Sequence, residues 1–127
     1  MGLIEEAHDL SETYQAIPLN LERTRASVES MLINPRCLVA FNGDGVLLAA
    51  AADSLWHEGL HIADVFCYAR RNGRALIREY REWAAAFPGQ NDIHLSVTFG
   101  GEAGGRTEQL YQRLGFDRSG TIFKVNV

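Results

Sequence analysis

Apolar residues recur first at helical spacing. Leu3, Ala7, Leu10, Tyr14 and Ile17 fall on one stripe, and Pro18, which lacks an amide proton, predicts its end. Asn20 is placed to cap a second helix with Leu21, Thr24, Val28, Met31 and Leu32 on its apolar face, closed by Asn34-Pro35. The period then changes. Two short apolar runs, 37–41 and 46–50, flank Asn42-Gly43-Asp44-Gly45, which contains two favourable hairpin dipeptides and predicts an antiparallel pair. A polar turn at His57-Glu58-Gly59 precedes a third strand over 60–68. Leu76, Tyr80, Trp83, Ala84 and Phe87 then form a stripe that predicts a helix over 74–87, stopped by Pro88-Gly89, with Trp83 and Phe87 as core. Ile93, Leu95, Val97 and Phe99 alternate as a fourth strand within 92–99. Residues 100–105 read as a flexible glycine-rich turn. A short helix bearing Thr107, Leu110, Tyr111 and Leu114 follows and ends at Gly115, which tolerates the left-handed conformation of a helix stop. Residues 121–127 are predicted as the last strand.

The order α-α-β-β-β-α-β-α-β, without a repeat or a linker, predicts a single α/β domain over 1–127. Its central sheet is mixed, with helices on both faces. A length of 127 residues suits one such domain. Apolar residues at 46% and charged residues at 22% exclude a disordered chain, a collagen-like repeat and a coiled coil. The longest apolar stretch, 46–52, is far below the ~20 residues of a membrane span, so no membrane association is expected. No charged segment leading into an apolar one opens the chain, as a secretory signal would. Cys37 and Cys67 lack the spacing of a zinc knuckle or disulfide framework, and a reducing, cytoplasmic setting is expected.

Charge is uneven. The net charge is −4, divided as −7 over residues 1–64 and +3 over residues 65–127. Eleven of the twelve basic residues are arginine, and five of these lie between Arg70 and Arg81. A local basic cluster on an acidic chain suits a small anion better than a long polyanion, and a nucleic-acid partner is disfavoured.

That cluster sits where chemistry is expected. The strand ending Asp64-Val65-Phe66-Cys67-Tyr68 runs into Arg70-Arg71-Asn72-Gly73-Arg74-Ala75 and then a helix. Unpaired N–H groups of a first helical turn attract anions, Gly73 permits close approach of the backbone, and arginines add charge-assisted bonds. The alternative is an ordinary helix start with solvated arginines. A second segment, Leu110-Tyr111-Gln112-Arg113-Leu114-Gly115-Phe116, carries a tyrosine on a helix that ends in Gly-Phe.

Together these segments resemble the GNAT superfamily of acyl-CoA-dependent N-acetyltransferases. Arg70, Gly73 and Ala75 match its R-x-x-G-x-A pyrophosphate loop, and Leu110, Tyr111, Gly115 and Phe116 match its L-Y-x-x-x-G-F helix end. The element order matches over most of the chain, with no counterpart for the family's first strand, and the loop is one or two residues short. The resemblance implies acetyl-CoA as co-substrate, no metal, and direct attack by a primary amine of a small molecule or protein. Arg70, Arg71, Asn72, Gly73, Arg74 and Ala75 would hold the CoA phosphates. The backbone of Phe66, Cys67 and Tyr68 would polarise the thioester carbonyl, and Tyr111 would protonate the leaving thiolate. The acidic first half suits a cationic acceptor, and a homodimer is compatible with the fold. The shortened loop favours an alternative: a non-catalytic CoA-binding or protein-interaction module of the same fold.

Other candidates are weaker. The run 100–105 fits neither a dinucleotide nor a Walker motif. His57 and His61 lie four apart, but across a loop–strand boundary, and read as ordinary polar residues rather than metal ligands. Asp64 and His61 could supply a general base near an acceptor amine, although each is more often an ordinary polar residue on a strand face. Cys67 reads as a small buried side chain, because no histidine partner is identifiable to activate it.

Overall fold

The computed structural model describes residues 2–11, 17–97 and 101–120. Helix α1 (Gly2–Leu10) and helix α2 (Leu21–Leu32) lead into strands β1 (Cys37–Phe41), β2 (Gly45–Asp53) and β3 (Leu60–Ala69). Helix α3 (Gly73–Ala85), strand β4 (Asp92–His94) and helix α4 (Gly101–Arg113) follow. The four strands form one mixed sheet in the order β1-β2-β3-β4, antiparallel at the first two junctions and parallel at the third. The predicted last strand, 121–127, lies outside the described residues.

Strand β2 is buried on both faces, which is why its sequence is a continuous apolar run rather than an alternating one. Leu47, Ala49 and Ala51 join Ala40, Ile62, Leu76, Tyr80 and Ala84 in the core between the sheet and α3. Val46 and Leu48 point the other way, to Leu3 of α1 and to Val28 and Met31 of α2. Helices therefore cover both faces. At the hairpin turn, the Asn42 carboxamide oxygen accepts from the amides of Asp44 (3.1 Å) and Gly45 (2.9 Å), and Gly43 supplies a φ of +89°. Asn20 caps α2 by accepting from the Arg23 amide at 2.9 Å.

Three expectations are corrected. The first helix stops at Leu10 rather than Ile17. Only Leu3 and Ala7 of its stripe are buried, Leu10 and Ile17 are exposed, and the Ile17 carbonyl lies 2.7 Å from the His8 ring; Tyr14 lies outside the described residues. The strand expected over 92–99 ends at His94 within 92–97, because the Ser96 amide is taken by a side chain of β3 instead of its backbone; residues 98–99 lie outside the described residues. The glycine run 100–105 is no turn from Gly101 onward but the first turns of α4. Gly104 is buried there. On α2, Thr24, Val28 and Met31 turn inward as expected, whereas Leu21 and Leu32 are exposed.

Candidate active site

Strand β3 carries an extra residue. Its pairing with β2 shifts between Leu48 with Phe66 and Ala49 with Asp64, so Val65 is a bulge with no partner and is exposed. In a regular strand, residues 60, 62, 64, 66 and 68 would share a face. The bulge reverses that parity. Leu60 and Ile62 pack towards α3, and beyond the bulge it is Cys67 and Ala69 that do so, while Phe66 and Tyr68 pack towards α1 and α2. Asp64 and Cys67, an odd number of residues apart, thereby come to the same side.

On that side β3 and the chain after β4 part. Their backbone ladder comprises His61–Asp92, Ile62–Ile93 and Ala63–His94, and ends there. Beyond it the Asp64 carboxylate accepts from the Ser96 amide at 2.9 Å, and it also takes a bond from the Ser96 side chain. Tyr111 of α4 enters the same opening and donates its hydroxyl to the Ser96 carbonyl at 3.1 Å, with Cys67 beside it. Two parallel strands thus part after a short pairing.

Helix α4 positions this tyrosine through its own ending. The Phe116 amide donates to the Tyr111 carbonyl (3.0 Å), the Gly115 amide donates to the Gln112 carbonyl (3.1 Å), and Gly115 has a φ of +93°. This is the double reverse bond of a Schellman stop, and it sets the Phe116 ring 6.2 Å from the Tyr111 ring. Arg81 of α3 donates to the Leu114 carbonyl at 2.6 Å and covers the Phe116 ring. The Tyr-x-x-x-Gly-Phe pattern thus has a folding role: it ends the helix and fixes the ring of Tyr111.

Burial governs protonation here. It pushes the Cys67 thiol up to about 12, with the nearby Asp64 charge adding to the effect. Tyr111 is raised well above the ordinary phenol by burial and then by Cys67 and Asp64, and Asp64 is itself raised by burial. At neutral pH Tyr111 and Cys67 both keep their protons, so the opening holds proton donors and no thiolate.

The β3–α3 junction is held from two directions. Arg70 makes a double bond set to Glu6 of α1, through Nε and Nη2 at 2.8 Å each, and the Tyr68 hydroxyl donates to the same carboxylate at 2.5 Å. These partners bring Glu6 down to about 2. From the hairpin, the Asp44 carbonyl accepts from the Arg70 amide (2.8 Å), and the Asp44 carboxylate pairs with Arg71 at 3.4 Å. Gly45 opposite Ala69 makes this fit possible: a Cβ there would lie 2.7 Å from Ala69 Cβ and 2.8 Å from Leu76 Cδ1. Asn72 stands in the left-handed region (φ 59°) and its side chain does not cap α3. The first turn of α3, at Gly73, Arg74 and Ala75, therefore lacks a side-chain cap, with Arg74 exposed beside it.

Of the sequence candidates, the fold brings Cys67 and Tyr111 together and joins Asp64 to them. It sets Arg70, Arg71, Asn72, Gly73, Arg74 and Ala75 at the end of β3, with Arg70 and Arg71 already ion-paired. His61 has a different partner from Asp64: with His57 and His94 it converges on Asp92 at the start of β3. Ser96, Asp92 and His94 were not singled out from the sequence. Asp92-x-His94 has the spacing that places two side chains on one strand face, which is the signal that the sequence offers.

Among the described residues, four helices and a mixed four-stranded sheet make a small α/β domain with the fold of acetyltransferases. Among solved structures, the chain is similar to an aminoglycoside acetyltransferase, HMB0005, from an uncultured soil metagenomic sample. The TM-score is 0.67 at 20% identity, over 99% of this chain and 86% of that one. It is also similar to a protein of Pyrococcus furiosus assigned as an acetyl transferase, with a TM-score of 0.63 at 18% identity over 99% and 92% of the two chains. No protein-family model and no curated protein matches the chain.

Proposed function

We propose that this chain is a GNAT-type N-acetyltransferase that moves an acetyl group from acetyl-CoA to a primary amine by direct attack. The observation that carries the reading is the position of Tyr111, whose hydroxyl stands in the opening between β3 and the segment after β4, 3.1 Å from the Ser96 carbonyl. The uncapped start of α3, with Arg74 exposed beside it, suits the CoA phosphates. The stretch of β3 beyond Ala63, with Phe66, Cys67 and Tyr68, would border the path of the pantetheine arm. Tyr111 would donate its proton to the departing thiolate. That role is worth roughly a hundred- to ten-thousand-fold in rate. Cys67, with its thiol held at about 12, is unsuited to form an acyl-enzyme, which favours direct transfer. The acidic N-terminal half favours a cationic acceptor.

The test is Tyr111→Phe, which keeps the ring and removes the donor. Steady-state release of free thiol over a panel of amines should fall at least tenfold. Acetyl-CoA affinity should hold, and the melting temperature should drop only by the lost bond to the Ser96 carbonyl. Equal turnover would remove Tyr111 from the mechanism. A second reading, a non-catalytic CoA-binding module, is favoured by the ion pairs that already occupy Arg70 and Arg71. Thermal stabilisation by acetyl-CoA without thiol release from any amine would select it.

A further inference from the structure

At the start of β3 three histidines surround one carboxylate, and two of them, His61 and His94, line the cavity that Ser96 and Tyr111 also line. Asp92 Oδ1 lies 2.5 Å from His61 Nδ1 and 2.9 Å from His94 Nε2, and Asp92 Oδ2 lies 2.6 Å from His57 Nε2. The parallel register makes the cluster. His61 pairs with Asp92 and Ala63 with His94, so His61, Asp92 and His94 share the sheet face opposite Ile62 and α3. The rings of His61 and His94 stand 4.8 Å apart. One ligand atom from each of His61, Asp92 and His94 lies within 4.8 Å of the other two.

His57 differs from the other two histidines. Its Nδ1 accepts a hydrogen bond from the Gly59 amide at 3.0 Å, which occupies that lone pair and puts the ring proton on Nε2. That proton points at Asp92 Oδ2. His57 is thus a donor that orients the carboxylate, the place a partner of a metal-bound carboxylate takes, and it leaves Oδ1 to face the two remaining imidazoles. The loop carrying His57 is held in turn: Gly59 packs so tightly on Gln90 that a Cβ would fall 1.9 Å from its carbonyl oxygen, and Asn91 accepts from the Leu60 amide at 2.8 Å.

We propose that His61 Nδ1, His94 Nε2 and Asp92 Oδ1 bind one zinc(II) ion, with His57 as the positioning partner of Asp92. Two imidazoles and a carboxylate are a zinc donor set, and bonds of about 2.0–2.2 Å place tetrahedral ligands about 3.3 Å apart. The two imidazole–carboxylate spacings, 2.5 and 2.9 Å, would open by less than an ångström, and the two imidazole nitrogens, at most 4.8 Å apart, would close by up to about 1.5 Å. Each of the three side chains is between a third and a half exposed, which leaves the fourth position open to water. The ion would fasten β4 to β3, whose ladder is only three residue pairs long.

The experiment uses tag-free full-length protein, stripped with EDTA and titrated with zinc(II) against a competing chelator. Cobalt(II) replaces zinc in a parallel spectroscopic titration. One equivalent of zinc should bind with a dissociation constant below about a micromolar, cobalt should give the intense visible absorption of a four-coordinate ion, and zinc should raise the melting temperature reversibly. His61→Ala and His94→Ala should each abolish the cobalt spectrum. His57→Phe should weaken zinc binding roughly ten- to a hundredfold while keeping the spectrum. His8→Gln, at the remaining histidine, should change nothing. Should a histidine variant fail to fold, the cobalt spectrum of the wild type, which distinguishes four- from six-coordinate binding, still decides. No stoichiometric uptake, a six-coordinate cobalt spectrum, or uptake unaltered in the folded His61→Ala, His94→Ala double variant would overturn the proposal.

Discussion

Replacing Gly45 with alanine tests how the hairpin carries the β3–α3 junction. The added Cβ would lie 2.7 Å from Ala69 Cβ, 2.8 Å from Leu76 Cδ1 and 3.0 Å from Ala69 Cα. Leu76 can rotate; Ala69 can move only with its backbone. That backbone leads directly into Arg70 and Arg71. Overpacking of this kind costs about 1–3 kcal/mol. At roughly 3–5 °C per kcal/mol for a chain of this size, Gly45→Ala should melt about 3–15 °C lower. Ala69→Gly removes one of the two clashing methyl groups, and alone it costs about 0.5–1 kcal/mol for a glycine in a strand. The double variant should therefore be more stable than the sum of the single effects by at least about 0.5 kcal/mol, the coupling expected of residues in contact. The assay is denaturant unfolding of all four proteins. An unchanged midpoint for Gly45→Ala, or strict additivity in the double variant, would refute the reasoning.

Two further outcomes follow from buried and charged bonds. Tyr80 is fully buried and donates to the His94 carbonyl at 2.6 Å, with the Ile62 carbonyl at 3.2 Å, linking β4 to β3 from the α3 side; Tyr80→Phe should cost about 1–3 kcal/mol in denaturant unfolding and speed amide exchange in 92–94. Glu6 sits at about 2 in the folded chain against an ordinary 4.5, so its contribution to stability is present above about pH 4.5 and is lost as pH falls towards 2. The difference in melting temperature between wild type and Glu6→Gln should accordingly be present at pH 7, shrink through that window, and diminish in high salt because Glu6 and Arg70 are partly exposed.

Periodicity identified the hairpin, β3, α3 and the end of α4, because each has an apolar pattern bounded by a residue with a backbone reason to stop. Asn20 and Gly115 did the work that their side chain and φ predict. The start of α4 was not legible, because glycines carry no hydrophobic period. The length of β4 was hidden for a different reason. Residues 93–99 alternate as a strand should, yet the partner of the Ser96 amide is the Asp64 side chain, a tertiary choice that local sequence does not encode. Tyr111 and the arginine-bearing loop were visible as motifs, but the commitment of Arg70 to Glu6 joins residues 64 positions apart. The histidine cluster likewise needed the β3–β4 register before His61 and His94 could be seen to share a carboxylate.

The bulge at Val65 has a consequence for reading related chains. Asp64 and Cys67 face the same opening only because one surplus residue stands between them, so the strand is written in two frames that meet at residue 65. A sequence comparison that slides smoothly through β3 would match inward residues of one half with outward residues of the other and lose the relationship it seeks. Placing a gap at residue 65 keeps both halves in phase, so a relative without the surplus residue would be recognised by an inside–outside pattern that runs unbroken from the first half of the strand into the second.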